Sequence, residues 1–465
     1  MPDQTFRDQL GTADKSGRRL WLFPKRPSGR FYQWRTWVSW LQLGLLFGGP
    51  YIMIGDHPLL MLNVLERKFV ILGQVFWPQD TYLFMVGMLC FFVFIFLFTA
   101  VYGRVFCGWA CPQTIFLEML FRKVEYLIDG DGTEQRALAA APWTPEKAAR
   151  RVLKHGIFLA LAFAIGNTLL AYIIGKDALW AIVTDDPRLH LGGLTAMLLF
   201  TGAFYWIFAH FREQVCCFVC PYGRLQSVLL DEHSLTVAYD YKRGESRERF
   251  MKGDTLDTRQ AREAGNCINC GLCQKVCPTG IDIRNGTQLE CINCAACIDA
   301  CNFMMAKVGL PNNLIRYASQ RGIERGEGFR WTPRTLGYTA ALVALLAAMA
   351  LLLATRSDVA VKVLRTPGQL FQVAGDGQVV NLYDVEVVNK SFHDHEVTFR
   401  LESHQGELQI AGQTLTAPAE QVSRTALTVR IPRAQLKPFG NPIVIGIYRD
   451  GECIKRITTS FVAPG

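Results

Sequence analysis

Residues 267–278 read CINCGLCQKVCP and residues 291–302 read CINCAACIDACN, two runs in which cysteine recurs at the same spacing. In each run three cysteines are separated by two residues, and a fourth follows after three more. Bacterial ferredoxins hold two 4Fe-4S clusters with this spacing, and the fourth cysteine of each run reaches the cluster of the other run. We predict that one cluster is held by Cys267, Cys270, Cys273 and Cys301, and the other by Cys291, Cys294, Cys297 and Cys277.

Structural zinc sites are the alternative interpretation of these runs, since tetrahedral zinc also accepts four cysteines. Zinc modules usually present two separated cysteine pairs, whereas each run here is a triplet with a distant fourth member. The second run ends in Cys301-Asn302 and lacks the proline that follows Cys277, which alters the turn but removes no ligand. The spacing therefore favours iron–sulfur clusters over zinc.

Long apolar runs predict an α-helical integral membrane protein. Of the 465 residues 50% are apolar, and five runs are long enough to cross a hydrocarbon layer of about 30 Å. The formal charge of +9 would also suit nucleic acid, but the basic residues gather beside the apolar runs, so we predict membrane lipid and no nucleic acid as a partner. The five predicted transmembrane helices lie at about 36–55, 81–103, 152–175, 189–211 and 335–354.

The distribution of lysine and arginine predicts the orientation of these helices. Residues 1–35 and 104–151 are rich in both, whereas 57–80 and 176–188 contain only two each. Because loops rich in positive charge stay in the cytoplasm, the N-terminus and the ferredoxin runs are predicted to be cytoplasmic. The part of the chain after the fifth helix is then periplasmic.

The same features divide the chain into five parts. Alternating apolar residues, as in 381–387, predict strands in the last part. Gly, Pro and Ala in 129–151 and mixed charges in 239–262 predict flexible linkers. The predicted parts are a basic N-terminal segment (1–35), a four-helix transmembrane core (36–238), an α+β two-cluster ferredoxin-like domain with linkers (239–334), a fifth transmembrane helix (335–357) and an all-β immunoglobulin-like sandwich (358–465).

A second cysteine motif, CxxxCP, occurs twice, each time just after a predicted membrane helix: CGWACP at 107–112 and CCFVCP at 216–221. The proline suits the first turn of a new helix, and a helix N-terminus favours thiolate, the form that binds metals. Soft thiolates suit Cu(I) or an additional iron–sulfur centre, which would be a third metal centre. The alternative is that these are small buried residues in helix packing. The repeat predicts a weak internal duplication that brings together Cys107, Cys111, Cys216 and Cys220.

A few other residues are weaker candidates. His155 and His210 lie near the cytoplasmic ends of the third and fourth predicted helices, where they could supplement a metal site or bind haem. Histidines in such places more often only form hydrogen bonds within an interface. Cys90 and Cys453 are predicted to be buried and inert, and Cys217 has no predicted role.

The combination of five crossings, two CxxxCP motifs, a two-cluster ferredoxin insert and a C-terminal sandwich resembles the CcoG/FixG/RdxA family, whose members are accessory proteins of cbb3-type cytochrome c oxidase. The resemblance covers essentially the whole chain. It implies a bacterial inner-membrane protein that reduces Cu(II) to Cu(I) for delivery to the oxidase, with copper as substrate or bound ion. It also implies that the Cys107/Cys111 and Cys216/Cys220 pairs are where copper and electrons meet. The implied partners are a cytoplasmic or membrane electron donor, a copper transporter or chaperone, and oxidase assembly proteins.

Two other functions fit the same motifs. One is a polyferredoxin that donates electrons to another periplasmic or membrane redox enzyme, although the folded tail argues against it. The other is a non-enzymatic assembly factor whose clusters serve stability or redox sensing. Repeated turnover of copper would distinguish an enzyme from such a factor.

Overall fold

The computed structural model describes Thr12, Ser16 and residues 18–464, except 55–56, 65–67, 72, 78–79, 329, 358, 369, 375–376, 392, 412–414, 420 and 450. Residues 1–11, 13–15 and 17 of the predicted basic segment therefore lie outside the described residues. The chain forms two units, each treated separately: residues 1–63 with 86–347, and residues 64–85 with 348–465.

Four helical segments are long and apolar enough to cross a membrane. In the most apolar part of each segment, at most 28% of the residues are buried inside the protein, and in Pro333–Ala354 the share is 0%. Apolar side chains that find no protein partner are suited to contact with lipid. These segments confirm four of the predicted helices, with shifted ends: Thr81–Tyr102, Pro145–Ile174, Pro187–Phe211 and Pro333–Ala354.

The first predicted crossing, 36–55, differs from the helix that forms. That helix is Arg30–Gly48, and it is not among the segments that meet the length and apolarity needed for a span in the described part of the chain. It ends before Pro50 because proline lacks the N–H group that would continue the helical hydrogen bonds. The predicted bounds were wrong for this reason, and a fifth crossing stays a prediction.

The two predicted linkers are ordered. Residues 129–151 contain the helix Gly132–Ala140, whose first turn is closed by a reciprocal capping box between Asp131 and Glu134. In 239–262, Arg259 is fully buried and its Nε donates to the Gly265 carbonyl at 3.0 Å. Compositional bias misled the prediction because these segments satisfy their polar groups locally.

The ferredoxin runs lie in a small α+β region of the first unit. Strands Thr236–Tyr239 and Ile315–Ala318 pair antiparallel, and the main helix, Ala296–Lys307, packs against them. The region thus begins a few residues before the predicted boundary at 239. Its other short helices are Tyr241–Gly244, Leu256–Ala261, Leu272–Lys275, Ile283–Asn285 and Gln320–Arg325.

Short elements complete the chain around the membrane helices. They include π-helical stretches just after the first CxxxCP motif and within the second, and this rare form is frequent at functional sites. The helices are Val105–Trp109, Pro112–Thr114, Ile115–Phe121 (π), Arg122–Ile128, Lys176–Thr184, Val215–Val219 (π) and Pro221–Leu229. Within Pro187–Phe211 the pieces are Pro187–His190 (3-10), Leu191–Trp206 and Ile207–Phe211 (π). The short strands are Met53–Ile54, His57–Pro58, Leu60–Asn63, Lys68–Ile71 and Gln74–Phe76.

The C-terminal part is an all-β sandwich, as predicted. One sheet has the order Glu407–Ile410, Val422–Pro432, Gln378–Asn389 and Val359–Arg365, with Gln372–Val373 beside the third strand, and the other has the order Leu415–Ala417, His395–Leu401, Phe439–Arg449 and Glu452–Ala463. A short 3-10 turn, Arg433–Gln435, precedes the strand Phe439–Arg449. Alternate residues of both sheets form the core, for example Val385, Leu427 and Ile445. The buried Asn381 links the sheets, because its side chain donates to the Val462 carbonyl at 2.8 Å and accepts from the Val462 N–H at 3.1 Å.

Replacing Asn381 with Leu would leave both backbone groups of Val462 without these partners. We expect the free energy of local opening of the strand Glu452–Ala463 to fall by about 1–3 kcal/mol. Amide hydrogen exchange of the full-length protein measures this. The control Gln409→Leu alters an exposed side chain that bonds to Glu407 at 2.7 Å and should leave exchange almost unchanged. Equal protection in the two variants would contradict the proposed link.

Candidate metal centres

The eight ferredoxin cysteines line two small cavities. One has an empty volume of about 350 Å³ and is lined by Cys267, Cys270, Cys273 and Cys301. The other has about 340 Å³, and its lining includes Cys277, Cys291, Cys294 and Cys297. Cys273 also borders the second cavity. The structure therefore brings together the same two sets of four that the spacing groups, around cavities of nearly equal size.

The two runs fold alike because they repeat the same backbone conformation. Asn269 and Asn293 both have positive φ values, 50° and 53°, and so do Gly271 and Ala295, at 66° and 61°. Asparagine and glycine adopt this left-handed region readily, whereas alanine is strained there. Gly271 and Ala295 immediately precede the helices Leu272–Lys275 and Ala296–Lys307, so the chain turns into a helix at the same point of each run.

The geometry suits clusters better than single ions. Four sulfur atoms on one zinc ion would all lie about 2.3 Å from it. No group of three or more His, Cys, Asp or Glu side chains in the described residues converges in a way that would hold one metal ion. Cysteines that surround a cavity without meeting at a point fit the corners of an iron–sulfur cube.

Burial keeps these thiols protonated when no metal is bound. It raises the pKa of Cys273, Cys291 and Cys301 to about 12 and that of Cys277 to about 11. Metal coordination deprotonates a thiol outright, so loading these sites would release protons.

The first cavity also has a buried hydrogen-bond donor that lacks a partner among the described residues. It is the Tyr239 hydroxyl beside Cys267, and burial is the largest cause that raises its pKa. Near the second cavity, but not in its lining, Asn293 has an unpartnered Nδ2, and its Oδ1 lies 3.5 Å from the Cys291 sulfur. Donors near the sulfur atoms suit thiolates and sulfide, since hydrogen bonds to sulfur help to set the potential of a cluster.

Both CxxxCP motifs turn from one helix into the next at their last cysteine. Cys111 is the residue before Pro112, which begins a helix, and Cys220 has the same position before Pro221. This confirms the prediction that each proline occupies the first turn. The four cysteines lie near enough for their charges to interact, because Cys107 is influenced by Cys111 and Cys220, and Cys216 by all three others.

Burial opposes the thiolate form at the first cysteine of each motif. It raises the pKa of Cys107 to about 12 and also raises that of Cys216, and neighbouring thiols add to the effect. The favourable effect of a helix start on thiolate at Cys111 and Cys220 stays a prediction. Gln226 is fully buried beside Cys107, whose sulfur donates to its Oε1 at 3.3 Å, and its Nε2 has no partner in the described chain.

The first CxxxCP motif packs directly on the second ferredoxin run. A Cβ atom at Gly108 would lie 2.5 Å from the Ile292 carbonyl oxygen and 2.9 Å from the backbone of Cys294. Arg35 Nε donates to the Gly108 carbonyl at 2.9 Å, and Trp109 Nε1 donates to the Tyr317 hydroxyl at 3.1 Å. Only glycine allows this backbone contact, because any side chain would collide with the run.

The second CxxxCP motif is tied to the same run through Arg104. The Arg104 guanidinium donates to the carbonyl oxygens of Leu289 and Gly223, which lie just before the second run and just after the second motif. Cys217, which had no predicted role, lies near enough to Cys277 and Glu290 for their charges to affect it, and burial raises its pKa to about 12. Sequence reasoning missed Arg104 because it was counted only as a topology signal.

The remaining candidates lie elsewhere. His155 and His210 line a separate cavity whose described lining contains no cysteine, and Nδ1 of His155 is 2.9 Å from the Tyr205 hydroxyl. Cys90 is buried as predicted. Cys453 is exposed, so the prediction that it is buried was wrong, because it lies on the strand Glu452–Ala463 at an exposed position.

Three family models match the chain. A 4Fe-4S dicluster domain matches residues 211–320, and a 4Fe-4S binding domain matches residues 84–128. The Ig-like fold at the C-terminus of FixG matches residues 349–464. The first two matches each include one CxxxCP motif.

Known proteins are similar over much of the chain. The nitrogen fixation protein FixG of Rhizobium meliloti is 38% identical over 65% of this chain. The matched part of this chain spans 58% of the length of FixG. RdxA of Cereibacter sphaeroides is 34% identical over 82% of this chain and 81% of RdxA. The crystal structure of a FixG-related protein from Vibrio parahaemolyticus aligns with 23% of this chain and 97% of its own, at 18% identity and a TM-score of 0.20. From the RdxA match and the three domains, the chain belongs to the FixG/CcoG family of membrane proteins with 4Fe-4S domains.

Proposed function

We propose that this protein reduces Cu(II) to Cu(I) for the assembly of a cbb3-type cytochrome c oxidase. The observation that carries the proposal is the contact of the first CxxxCP motif with the second ferredoxin run, where no side chain separates Gly108 from the backbone of Cys294. A site that uses electrons benefits from direct contact with the site that supplies them. The family resemblance supports the choice of copper.

The eight cysteines that line the two cavities would hold two 4Fe-4S clusters, in the two sets of four described above. When bound, the clusters supply one-electron transfer, which matches the single electron between Cu(II) and Cu(I). The chain itself buries the sulfur atoms and offers the Tyr239 hydroxyl as a donor beside Cys267.

Copper is the substrate in this proposal and would bind at Cys107, Cys111, Cys216 and Cys220, whose side chains must close around it, since no three of them already converge on one point among the described residues. Soft sulfur ligands stabilise Cu(I), so their coordination favours the reduced ion. Binding releases protons from the buried thiols, because only the thiolate is a ligand. A half-turn of the Gln226 amide would then bring its unpartnered Nε2 to the Cys107 sulfur as a donor. His155 and His210 have no part in this site.

We also infer five crossings, with the N-terminus and ferredoxin region in the cytoplasm and the sandwich in the periplasm of the inner membrane. The charge distribution between the helices supports this orientation. The helix Arg30–Gly48 supports a fifth crossing, because Trp34, Trp37 and Trp40 are exposed and tryptophan is common at membrane interfaces. The partners would be a copper transporter or chaperone and oxidase assembly proteins.

A third cluster at the CxxxCP cysteines is a second candidate for the same site. The family model for a 4Fe-4S binding domain at 84–128 favours it, because the only cysteines in that range besides Cys90 are Cys107 and Cys111. In that case copper would be reduced elsewhere on the protein.

The contact at Gly108 is tested by Gly108→Ala. The added Cβ forces the motif away from the run, and misplacement of reacting groups by about 1 Å can cost as much as about a hundredfold in rate. We expect Cu(II) reduction to slow by about tenfold or more while iron content stays normal. Gly202→Ala is the control, because nothing lies within 4 Å of the Cβ atom that this substitution adds. Equal rates in both variants would remove the main support for the proposal.

The role of the membrane-edge cysteines is tested by Cys111→Ser and Cys220→Ser in full-length protein with normal iron content. Loss of a thiolate weakens the site for Cu(I), so we expect the rate of Cu(II) reduction to fall by at least about tenfold. The exposed Cys453→Ser serves as the control. An unchanged rate of Cu(II) reduction in both variants would contradict a copper site at these cysteines. Wild-type protein that accepts electrons without repeated copper turnover would favour a redox-sensing assembly factor.

Iron and acid-labile sulfide per chain distinguish copper from a third cluster. Two cubes of four irons predict about eight of each, and this is the result we expect. About twelve of each, falling to about eight in Cys111→Ser, would assign the CxxxCP cysteines to a third cluster. EPR of the reduced protein provides an independent count.

A further inference from the structure

One cavity of the first unit is used by none of the sites described so far. It has a volume of about 340 Å³, which is within the usual range for ligand sites. It lies at the ends of two membrane helices, Pro145–Ile174 and Pro187–Phe211. The lining residues that matter are Trp21, Asp129, His155, Phe158, His210 and Arg212.

A network of buried ion pairs forms one wall of this cavity. Lys154 Nζ lies 2.6 Å from Asp129 Oδ2, and Arg151 lies 3.3 Å from the same oxygen. Arg212 holds Glu125 at 2.7 Å. Paired charges of this kind are stable in a buried setting only when their other polar atoms are also satisfied.

Two atoms of the network are not satisfied. Asp129 is 3% exposed and its Oδ1 has no hydrogen-bond partner in the described part of the chain. Arg212 is 5% exposed, and its Nε likewise has no hydrogen bond among the described residues, with Glu213 only as near as 3.8 Å. Asp129 Oδ1 is a hydrogen-bond acceptor and Arg212 Nε is a donor, and both residues line the same cavity.

This combination restricts the chemistry of a ligand. A cation could satisfy the carboxylate oxygen but not the guanidinium N–H, and an anion could do only the reverse. A hydroxyl or a hydroquinone can donate to the first and accept from the second. The ligand class is therefore neutral, with oxygen atoms that both donate and accept.

The other lining residues favour a flat ring. The His155 and His210 rings are nearly parallel, with an angle of 16° and centroids 6.5 Å apart. Phe158 and Trp21 add apolar aromatic surface. Arg19, which stacks on Trp21 at 4.0 Å and donates to the His210 carbonyl, holds the N-terminal segment against the cavity.

We propose that this cavity binds the headgroup of a membrane hydroquinone. The position at the ends of membrane-crossing helices lets such a ligand enter from lipid. Arg212 precedes the second CxxxCP motif by only four residues, and the Cys216 N–H donates to the Glu213 carbonyl at 3.1 Å. Arg212 itself has φ 53°, a strained conformation between two π-helical stretches, as is common at functional sites.

Oxidation of the hydroquinone to quinone breaks two O–H bonds and releases two electrons and two protons. The Asp129 carboxylate accepts the first proton through Oδ1, and water at the cavity mouth accepts the second. The electrons leave one at a time, and their acceptors are the iron–sulfur centres of the cysteine sites. This electron-donor role rests on the proposed function, whereas binding of the ring does not.

Equilibrium dialysis of purified full-length protein with decyl-ubiquinol, the reduced form that carries the O–H donors, tests binding directly. We expect Asp129→Asn to lower affinity by at least about tenfold, the usual effect of losing a hydrogen bond to a charged group. Because this variant also loosens Lys154, a second variant avoids the ion pairs. Ala139→Trp narrows the cavity from an exposed lining position, and we expect the same loss.

The matched control is Ala140→Trp, since Ala140 is exposed on the same helix but is not part of the lining. It should bind decyl-ubiquinol like the wild type. No binding above a detergent blank, or equal binding by all three variants, would overturn the proposal and leave a water-filled cavity. Copper reduction measured with dithionite as donor reports separately on the proposed function, so the two failures can be distinguished.

Discussion

The absence of a side chain at Gly108 is the constraint on which the arrangement of the metal centres depends. A backbone contact with Ile292 and Cys294 fixes the CxxxCP motif on the ferredoxin run, and a methyl group there would separate them. The contact is held from both sides, by Arg35 on the Gly108 carbonyl and by Trp109 on Tyr317. Asp299, on the main helix of the ferredoxin region, accepts from the first N–H groups of the helix Arg30–Gly48, at 2.8 Å from that of Tyr32. The ferredoxin region and the helices at the membrane edge therefore form one framework.

Buried ion pairs also restrict how the parts of this framework pack. Arg122 is only 1% exposed and pairs with Glu118 and Glu213, and Arg212 pairs with Glu125. Such pairs contribute little net stability, because desolvation offsets their attraction, but they penalise any packing that leaves a charge unpaired. They lie along the helical stretches that follow the first motif and precede the second. The network thus specifies how the two halves of the predicted duplication meet, which apolar packing alone would not do.

The sequence was informative wherever spacing carries the chemistry. Cysteine intervals grouped the eight ferredoxin ligands, apolar runs located four membrane helices, and proline placed the starts of the helices after Cys111 and Cys220. It was uninformative where the decisive partner is distant in the chain. Nothing around Gln226 or Tyr239 indicates that each lies beside a particular cysteine, and Arg104 looks like any loop cation. Composition also failed at 129–151, because the capping box at Asp131 and Glu134 stabilises a helix that alanine and glycine content alone would not predict.

The unpartnered donors show how the sites differ from ordinary cores. Native proteins rarely leave buried polar atoms unsatisfied, yet Tyr239, Asn293 and Gln226 each do so beside a different cysteine set. Tyr239 lines the first cavity with Cys267, and the Oε1 of Gln226 accepts from the Cys107 sulfur, so two of these residues lie directly at a cysteine. Asp129 and Arg212 have unpartnered atoms of opposite hydrogen-bond character and line a cavity whose described lining contains no cysteine. Unpartnered atoms also occur elsewhere in the described residues, as in Trp77 and Thr201, so an unmet hydrogen bond is informative only in combination with a cavity or a cysteine contact.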